Sequence, residues 1–187
     1  MDPSEAHALL TRLAEGLADP AQAVPHDLPR EPVVAALRLA AQALGAGRTG
    51  RGGWAQIDGA ARGNPGPAGI GVVLGEAGAP PREEIARYLG RATNNVAEYQ
   101  ALLAALERLR ALGFTSAQIA SDSELLVKQM RGEYRVTSPH LRPLHAAARR
   151  LAAGFAPFEI RHVPREANAS ADALANRAID EGSARGG

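Results

Sequence analysis

Four carboxylates in this sequence suit metal-dependent chemistry better than a place on a solvated surface: Asp58, Glu98, Asp122 and Asp172. Asp58 and Asp122 each end a short run typical of a strand, and ligands bind outside strand ends in open α/β sheets. Glu98 and Asp172 lie in the first turns of predicted helices, among apolar neighbours. Four converging acids need counter-charge, which Mg²⁺ or Mn²⁺ supplies because hard cations take oxygen ligands. Two such ions can clamp the attacking and leaving oxygens of a phosphodiester.

Three of these acids, taken alone, also have a purely structural interpretation. Asp58 precedes Gly59 and suits a turn, Asp122 suits the N-cap of the next helix, and Asp172 suits a helix dipole. The metal hypothesis therefore depends on all four acids meeting in space, which requires particular strands and helices.

The elements that must position these acids alternate in type along the chain. Strands are predicted over residues 54–58, 69–74, 84–89, 117–121 and 158–163, and helices over 93–112, 123–130, 139–153 and 170–180. The order is βββαβααβα. Three hairpin-linked strands followed by strand–helix alternation predict an α/β fold, a five-stranded mixed sheet with helices on both faces.

The first 44 residues predict a separate helical extension. Leucines at helical spacing over residues 4–18 and a second amphipathic run over 32–44 indicate an N-terminal helical hairpin. A glycine-rich linker over 45–53 separates it from a domain over 54–182, and residues 183–187 are expected to form a flexible tail. A hairpin this short is marginal alone. Its apolar stripe is expected to pack on the following domain, on a second copy or on another protein.

Composition narrows the class of protein. The chain has 21 Lys and Arg against 20 Asp and Glu, and no Cys, which excludes a disulfide scaffold, a thiolate zinc site and a cysteine nucleophile. No apolar run approaches the roughly 18 residues that span a bilayer, and the N-terminus is unlike a secretory signal, so we expect a cytoplasmic protein without a membrane partner. A net charge of +1 argues against a strongly basic nucleic-acid coat protein but not against a nuclease with an acidic site.

Four motifs, in order, resemble those of the ribonuclease H type 1 family. They are DGAARGNPGPAG over residues 58–69, TNNVAEY over 93–99, SDS over 121–123 and VPREANASADALA over 163–175. The resemblance covers residues 53–182 and is strongest to the compact bacterial and archaeal branch. It implies a ribonuclease H-like fold, with Asp58, Glu98, Asp122 and Asp172 binding two Mg²⁺ ions, or Mn²⁺ as a substitute.

The resemblance also implies an activity and a substrate. The expected activity is endonucleolytic hydrolysis of the RNA strand of RNA/DNA hybrids, which leaves 3′-hydroxyl and 5′-phosphate ends. The expected substrate-binding residues are Asn64, Thr93, Asn95 and Asn168. Arg165 stands where better-known members carry a catalytic His, and it is expected to stabilise charge on the leaving phosphate or to help product release, because Arg cannot act as a base at neutral pH.

Two further departures bear on substrate preference and metal binding. The connection over residues 131–138 is short and lacks the basic helical handle of some members, which predicts a weaker grip on substrate or a substitute contact. Glu124 stands two residues after Asp122, where Gln is common. A fifth acid there would either tune metal affinity or face water, and the second is the expectation. The alternative functions are a nuclease of the same fold that prefers double-stranded RNA or another structured nucleic acid, and a non-catalytic nucleic-acid or protein-binding module.

Overall fold

The computed structural model describes residues 51–185. The predicted helical hairpin over 1–44 and most of the predicted linker lie outside the described residues, as do residues 186–187. Among the described residues, no helix is both long enough and apolar enough to cross a membrane.

Five strands form one mixed sheet, as the sequence predicts. They are β1 (Gly52–Ala61), β2 (Gly66–Glu76), β3 (Glu83–Ala92), β4 (Ser116–Ser121) and β5 (Phe158–His162). Their order across the sheet is β3-β2-β1-β4-β5. The pairs β1–β2 and β2–β3 are antiparallel, whereas β1–β4 and β4–β5 are parallel. The carboxyl ends of β1 and β4 therefore meet at one edge of the sheet.

Four α-helices and one 3₁₀ turn complete the domain. They are α1 (Asn94–Ala111), α2 (Glu124–Arg131), α3 (Leu141–Ala152), the 3₁₀ turn Arg165–Asn168 and α4 (Ala169–Arg185). Side-chain caps begin two of the helices: Thr93 Oγ1 accepts from the Val96 amide at 3.3 Å, and Ser123 Oγ accepts from the Leu126 amide at 3.4 Å. The element order βββαβααβα is confirmed, with the 3₁₀ turn added before the last helix.

Glycines on the central strands show that α1 and α4 cover opposite faces. A Cβ added at Gly59 would lie 2.6 Å from the Glu98 Cα on α1, and one added at Gly71 would lie 2.7 Å from the Ala175 amide on α4. Gly71 pairs with Asp58, so these two residues point to the α4 face, while Gly59, the next residue along β1, points to the α1 face. Helices on both faces of the sheet are thus confirmed.

Several predicted boundaries differ from the structure, and two of them have a clear physical reason. Strand β1 continues to Ala61 rather than stopping at Asp58, because Gly59 and the small residues after it pair with β2. Residue propensity does not predict a strand in this segment, because glycine and alanine have low strand propensity. Its pairing with β2 makes it a strand. The last helix runs to Arg185 rather than ending at Asp180, and the ring of Tyr88 on β3 packs against its Gly182.

Candidate active site

Three of the four predicted acids converge at the edge where β1 and β4 end. The parallel pairing of these strands stops at Ile57 and Ser121, so Asp58 and Asp122 each stand one residue beyond it. Glu98 reaches the same point from α1, which covers the face of the sheet opposite to the one towards which Asp58 points. Ligand atoms of Asp58, Glu98 and Asp122 all lie within 4.8 Å of one another. The metal hypothesis requires all four acids to meet, and the close cluster brings together three of them.

Gly59 makes the approach of Glu98 feasible. Any side chain at this position would collide with the α1 backbone, because an added Cβ would lie 2.6 Å from the Glu98 Cα. The backbone amide of Gly59 lowers the pKa of Glu98 and so partly offsets the effect of burial on that carboxyl. A glycine is therefore needed where the strand passes the first turns of this helix.

Burial and like charges act against ionisation of this cluster. Burial, followed by the charges of Asp122 and Asp172, raises the pKa of Asp58 to about 7, while Arg165 partly opposes the shift. Burial, with the charges of Asp58 and Asp122, raises the pKa of Glu98 well above its usual range. Glu98 Oε2 is buried and has no hydrogen-bond partner. A cluster of oxygen donors with one unpartnered buried oxygen fits a hard divalent cation, which would neutralise the repulsion.

Asp172 belongs to the same neighbourhood but is held differently. It lies in the first turn of α4, where its Oδ1 accepts from Arg165 Nη2 at 2.6 Å. Its Oδ2 accepts from Asn176 Nδ2 at 3.2 Å, one helical turn further on. Asp172 thus has donors on both oxygens and lies outside the close cluster, although its charge still raises the pKa of Asp58.

Arg165 projects mostly into solvent, with its side chain 74% exposed. Its guanidinium reaches Asp172 and also acts electrostatically on Asp58 and Asp122. An exposed, permanently charged group at the rim of an acidic cluster can meet a phosphate that approaches from outside.

Asn168 is not where a substrate-binding residue would be. Its side chain has 0% exposure, so it cannot touch a nucleic acid in this conformation. Its Nδ2 donates to the Ile57 carbonyl at 2.9 Å and to Asp122 Oδ1 at 2.8 Å. The sequence motif identifies Asn168 as part of the site, but its burial corrects the role that the sequence analysis gave it.

The other predicted substrate-binding residues lie at the rim, where the turn after β1 meets the start of α1. Asn64 is exposed, and its Oδ1 accepts from the Asn94 amide at 3.3 Å, which ties the turn to the helix that carries Glu98. Asn95 is exposed in the first turn of α1. Thr93 is half-buried and uses its hydroxyl to cap this helix. Of the three, Asn64 and Asn95 present side chains to solvent.

Sequence reasoning missed two residues of the site, Asn176 and Gly59. It correctly predicted that Glu124 faces water and lies outside the cluster. Asn176 was missed, although its position four residues after Asp172 on a helix is a readable signal. Gly59 was read only as a neighbour in a turn. Glu124 was expected to face water, and its side chain is 64% exposed and paired with Lys128 at 2.6 Å.

Comparison with known proteins identifies the family and the fold. The sequence model of the reverse transcriptase-like family matches residues 56–178. The chain is 47% identical over 127 residues to "Ribonuclease HI" of Halobacterium salinarum, which covers 68% of this chain and 64% of that protein. It is 45% identical over 126 residues to "Bifunctional protein Rv2228c" of Mycobacterium tuberculosis, covering 67% of this chain and 35% of that protein. The chain thus spans less than two thirds of the length of either curated relative.

Solved structures share the fold. The crystal structure of RNase H1 from Halobacterium salinarum has a TM-score of 0.68 at 46% identity, covering 70% of this chain and 98% of that one. LC11-RNase H1, isolated from compost, was solved in complex with an RNA/DNA hybrid. That structure has a TM-score of 0.66 at 43% identity, covering 70% of this chain and 98% of that one.

Proposed function

This chain belongs to the reverse transcriptase-like family and has the ribonuclease H fold, and on that premise we propose that it is an endoribonuclease which hydrolyses the RNA strand of RNA/DNA hybrids. One observation carries the proposal: the ligand atoms of Asp58, Glu98 and Asp122 lie within 4.8 Å of one another. The likeness to LC11-RNase H1, which was solved with an RNA/DNA hybrid, supports the choice of substrate.

The proposed cofactor is a pair of Mg²⁺ ions, with Mn²⁺ as a substitute. Asp58, Glu98, Asp122 and Asp172 are the residues proposed to hold them. The ions would neutralise the acids, make a water more acidic and stabilise the negative charge on the leaving 3′ oxygen. The unpartnered Oε2 of Glu98 and the raised pKa of Asp58 support a cation at this cluster. Both indicate buried carboxylates whose negative charge is not fully compensated by the protein.

Arg165 is the proposed contact for the phosphate that is cut. Its guanidinium remains charged at any working pH, so it neither takes nor gives a proton. In the free protein it neutralises Asp172. With substrate present, its forked donors can pair with phosphate oxygens, which supports a role in stabilising the leaving group or in releasing product.

Asn64, Thr93 and Asn95 are the proposed contacts for the backbone of the hybrid. Asn and Thr side chains both donate and accept hydrogen bonds, which suits the 2′-hydroxyl that separates RNA from DNA. The exposed side chains of Asn64 and Asn95 support this role. Thr93 contributes chiefly by beginning the helix that presents Asn95 and Glu98.

The decisive experiment incubates the full chain with three end-labelled duplexes of one sequence: the RNA/DNA hybrid, duplex RNA and duplex DNA. Each is tested with Mg²⁺ and, separately, with Mn²⁺. Cleavage of only the RNA strand of the hybrid, leaving 3′-hydroxyl and 5′-phosphate ends, is expected, together with its loss in Asp58→Asn. Faster cleavage of duplex RNA would favour the alternative substrate. Divalent-dependent cleavage that persists in Asp58→Asn, or no cleavage of any duplex, would contradict the proposal.

The proposal extends to the setting of the enzyme. Its relatives come from an archaeon and a bacterium, whose DNA is copied and transcribed in the cytoplasm, so the proposed compartment is the cytoplasm. Residues 1–44 are proposed to mediate self-association or binding of a protein partner. Deleting residues 1–50 should change the molar mass in solution or the KM for hybrid, and unchanged values of both would contradict that role.

A further inference from the structure

We propose that Asn168 is a positioning residue: its buried carboxamide fixes the Asp122 carboxylate against the end of β1, and thereby sets how tightly the acidic cluster holds a divalent cation. The inference rests on the proposed metal-dependent function. It goes beyond that function by assigning a role to a side chain that contacts neither nucleic acid nor cation.

Both donors of the carboxamide are used at the point where β1 and β4 end. Nδ2 of Asn168 donates to the Ile57 carbonyl at 2.9 Å and to Asp122 Oδ1 at 2.8 Å. Ile57 precedes Asp58 on β1 and pairs with Ser121, which precedes Asp122. One amide group therefore joins the backbone beside one acid to the carboxylate of another.

The orientation of this amide has only one acceptable choice. Rotating it by half a turn would place Oδ1 against the Ile57 carbonyl and the Asp122 carboxylate, so that acceptors would face acceptors. In the observed orientation Oδ1 is buried without a hydrogen-bond partner. An unsatisfied buried acceptor destabilises a fold, because it loses its hydrogen bonds to water and gains none in the protein. The unsatisfied oxygen therefore belongs to a residue whose Nδ2 makes two hydrogen bonds at the strand ends that carry Asp58 and Asp122.

Holding one oxygen of Asp122 limits rotation of the whole carboxylate. The oxygen that Asp122 offers to the cluster is then presented towards Asp58 and Glu98 before any cation arrives. Without the amide, the carboxylate can turn away from its two negative neighbours, whose repulsion favours that rotation. Mutating a group that hydrogen-bonds to a metal ligand and orients it typically lowers metal affinity or activity by about 10–100-fold.

Gln56 provides a matched control. Its Nε2 donates to the Ala167 carbonyl at 3.1 Å, so it also joins β1 to the turn that contains Asn168. It is not bonded to any carboxylate. Removing the Gln56 bond tests the effect of loosening this turn, whereas removing the Asn168 bond tests the effect of releasing Asp122.

The experiment measures Mn²⁺ binding to the full chain by titration calorimetry, without nucleic acid, for Asn168→Leu, Asn168→Ala and Gln56→Leu. Leucine keeps the branched shape and the number of heavy atoms of the asparagine side chain and adds no charge, so it provides a second variant if Asn168→Ala fails to fold. We expect Mn²⁺ binding to weaken by about 10–100-fold in both Asn168 variants and by no more than about twofold in Gln56→Leu. The KM for hybrid should stay near that of the unaltered chain, while kcat falls and partly recovers at higher Mn²⁺.

Three results would overturn the inference. The first is an Asn168→Leu chain that binds Mn²⁺ as tightly as the unaltered chain. The second is a raised KM with unchanged Mn²⁺ affinity, which would return Asn168 to a substrate role. The third is an unaltered chain that binds no Mn²⁺. If the unaltered chain binds Mn²⁺, Asn168→Leu loses it and no duplex is cut, the inference stands and the proposed activity fails instead.

Discussion

Arg165 donates a hydrogen bond of 2.6 Å from Nη2 to Oδ1 of Asp172, seven residues along the chain. This bond divides the four acids into two groups. Asp58, Glu98 and Asp122 lie so close together that their negative charges repel one another, whereas Asp172 is paired with the guanidinium of Arg165. A second divalent cation that uses Asp172 must therefore compete with Arg165.

Replacing Arg165 by alanine should separate its effect on catalysis from its effect on Asp172. We expect kcat to fall by roughly 100-fold, because a charged donor to the reacting phosphate is lost. Mn²⁺ affinity should not weaken, since Asp172 is freed. Steady-state kinetics and calorimetry measure the two quantities. Arg177→Ala is the control, because Arg177 pairs with Glu181 on the same helix at 3.8 Å. Equal kcat values for the two variants would contradict the role given to Arg165.

The metal-free chain should lose stability as the pH rises from 5 to 8. Asp58 has a pKa of about 7 in the folded chain against 3.8 as its reference value, so the folded state binds the extra proton in this range. The free energy of unfolding then decreases with pH, by an amount on the order of 2–4 kcal/mol for this one group. Thermal melts in a metal-free buffer at each pH measure it. Asp58→Asn should flatten the dependence, and a steeper dependence in that variant would contradict the assignment.

Divalent cations should stabilise the folded chain more at pH 8 than at pH 5. At pH 5 a cation must displace the proton of Asp58, whose pKa is raised to about 7, whereas at pH 8 the carboxylate is already ionised. The rise in Tm caused by a fixed excess of Mg²⁺ is the measurement. Equal rises at the two pH values would show that Asp58 does not bind the ion.

Gly59→Ala should damage the metal site as well as the fold. The added methyl group collides with the α1 backbone at Ala97 and Glu98, so the helix must move away from β1 and take Glu98 with it. We expect a loss of several kcal/mol in stability and a loss of Mn²⁺ affinity of tenfold or more. Melting and calorimetry measure these losses.

Gly53→Ala is the matched control for this substitution. Gly53 lies on the same strand and faces the far end of the same helix, where an added Cβ would lie 2.7 Å from Leu109 Cδ2. It should lower the Tm while leaving the Mn²⁺ affinity of the folded chain within about twofold. A similar loss of affinity in both variants would show that general loosening, and not the position of Glu98, is responsible.

Glu124→Gln should leave Mn²⁺ affinity within about twofold of the unaltered chain, because exposed ion pairs contribute little. Glu124 stands two residues after Asp122, but its carboxylate pairs with Lys128 at 2.6 Å and points into solvent. Calorimetry measures the affinity. A tenfold or greater loss would make Glu124 a fifth ligand and change the proposed site.

The sequence by itself determined the order of the elements, the mixed sheet and the identity of the acids. Local patterns carry this information: apolar periodicity distinguishes strands from helices, Thr93 and Ser123 mark helix starts, and the motifs around Asp58 and Asp172 point to one family. These signals depend only on neighbours along the chain, so they can be read without knowing how the chain packs.

Only the tertiary structure decided how these residues act on one another. Asn168 and Ile57 are 111 residues apart, and no local pattern states that an asparagine in a polar motif will be fully buried between two strand ends. The length of β1 depends on its pairing with β2, and the position of Glu98 depends on the missing side chain of Gly59. The pKa shifts of Asp58 and Glu98 follow from burial and from charges brought together by folding. Such effects vary with distance and solvent exposure, which exist only once the sheet and its helices have packed.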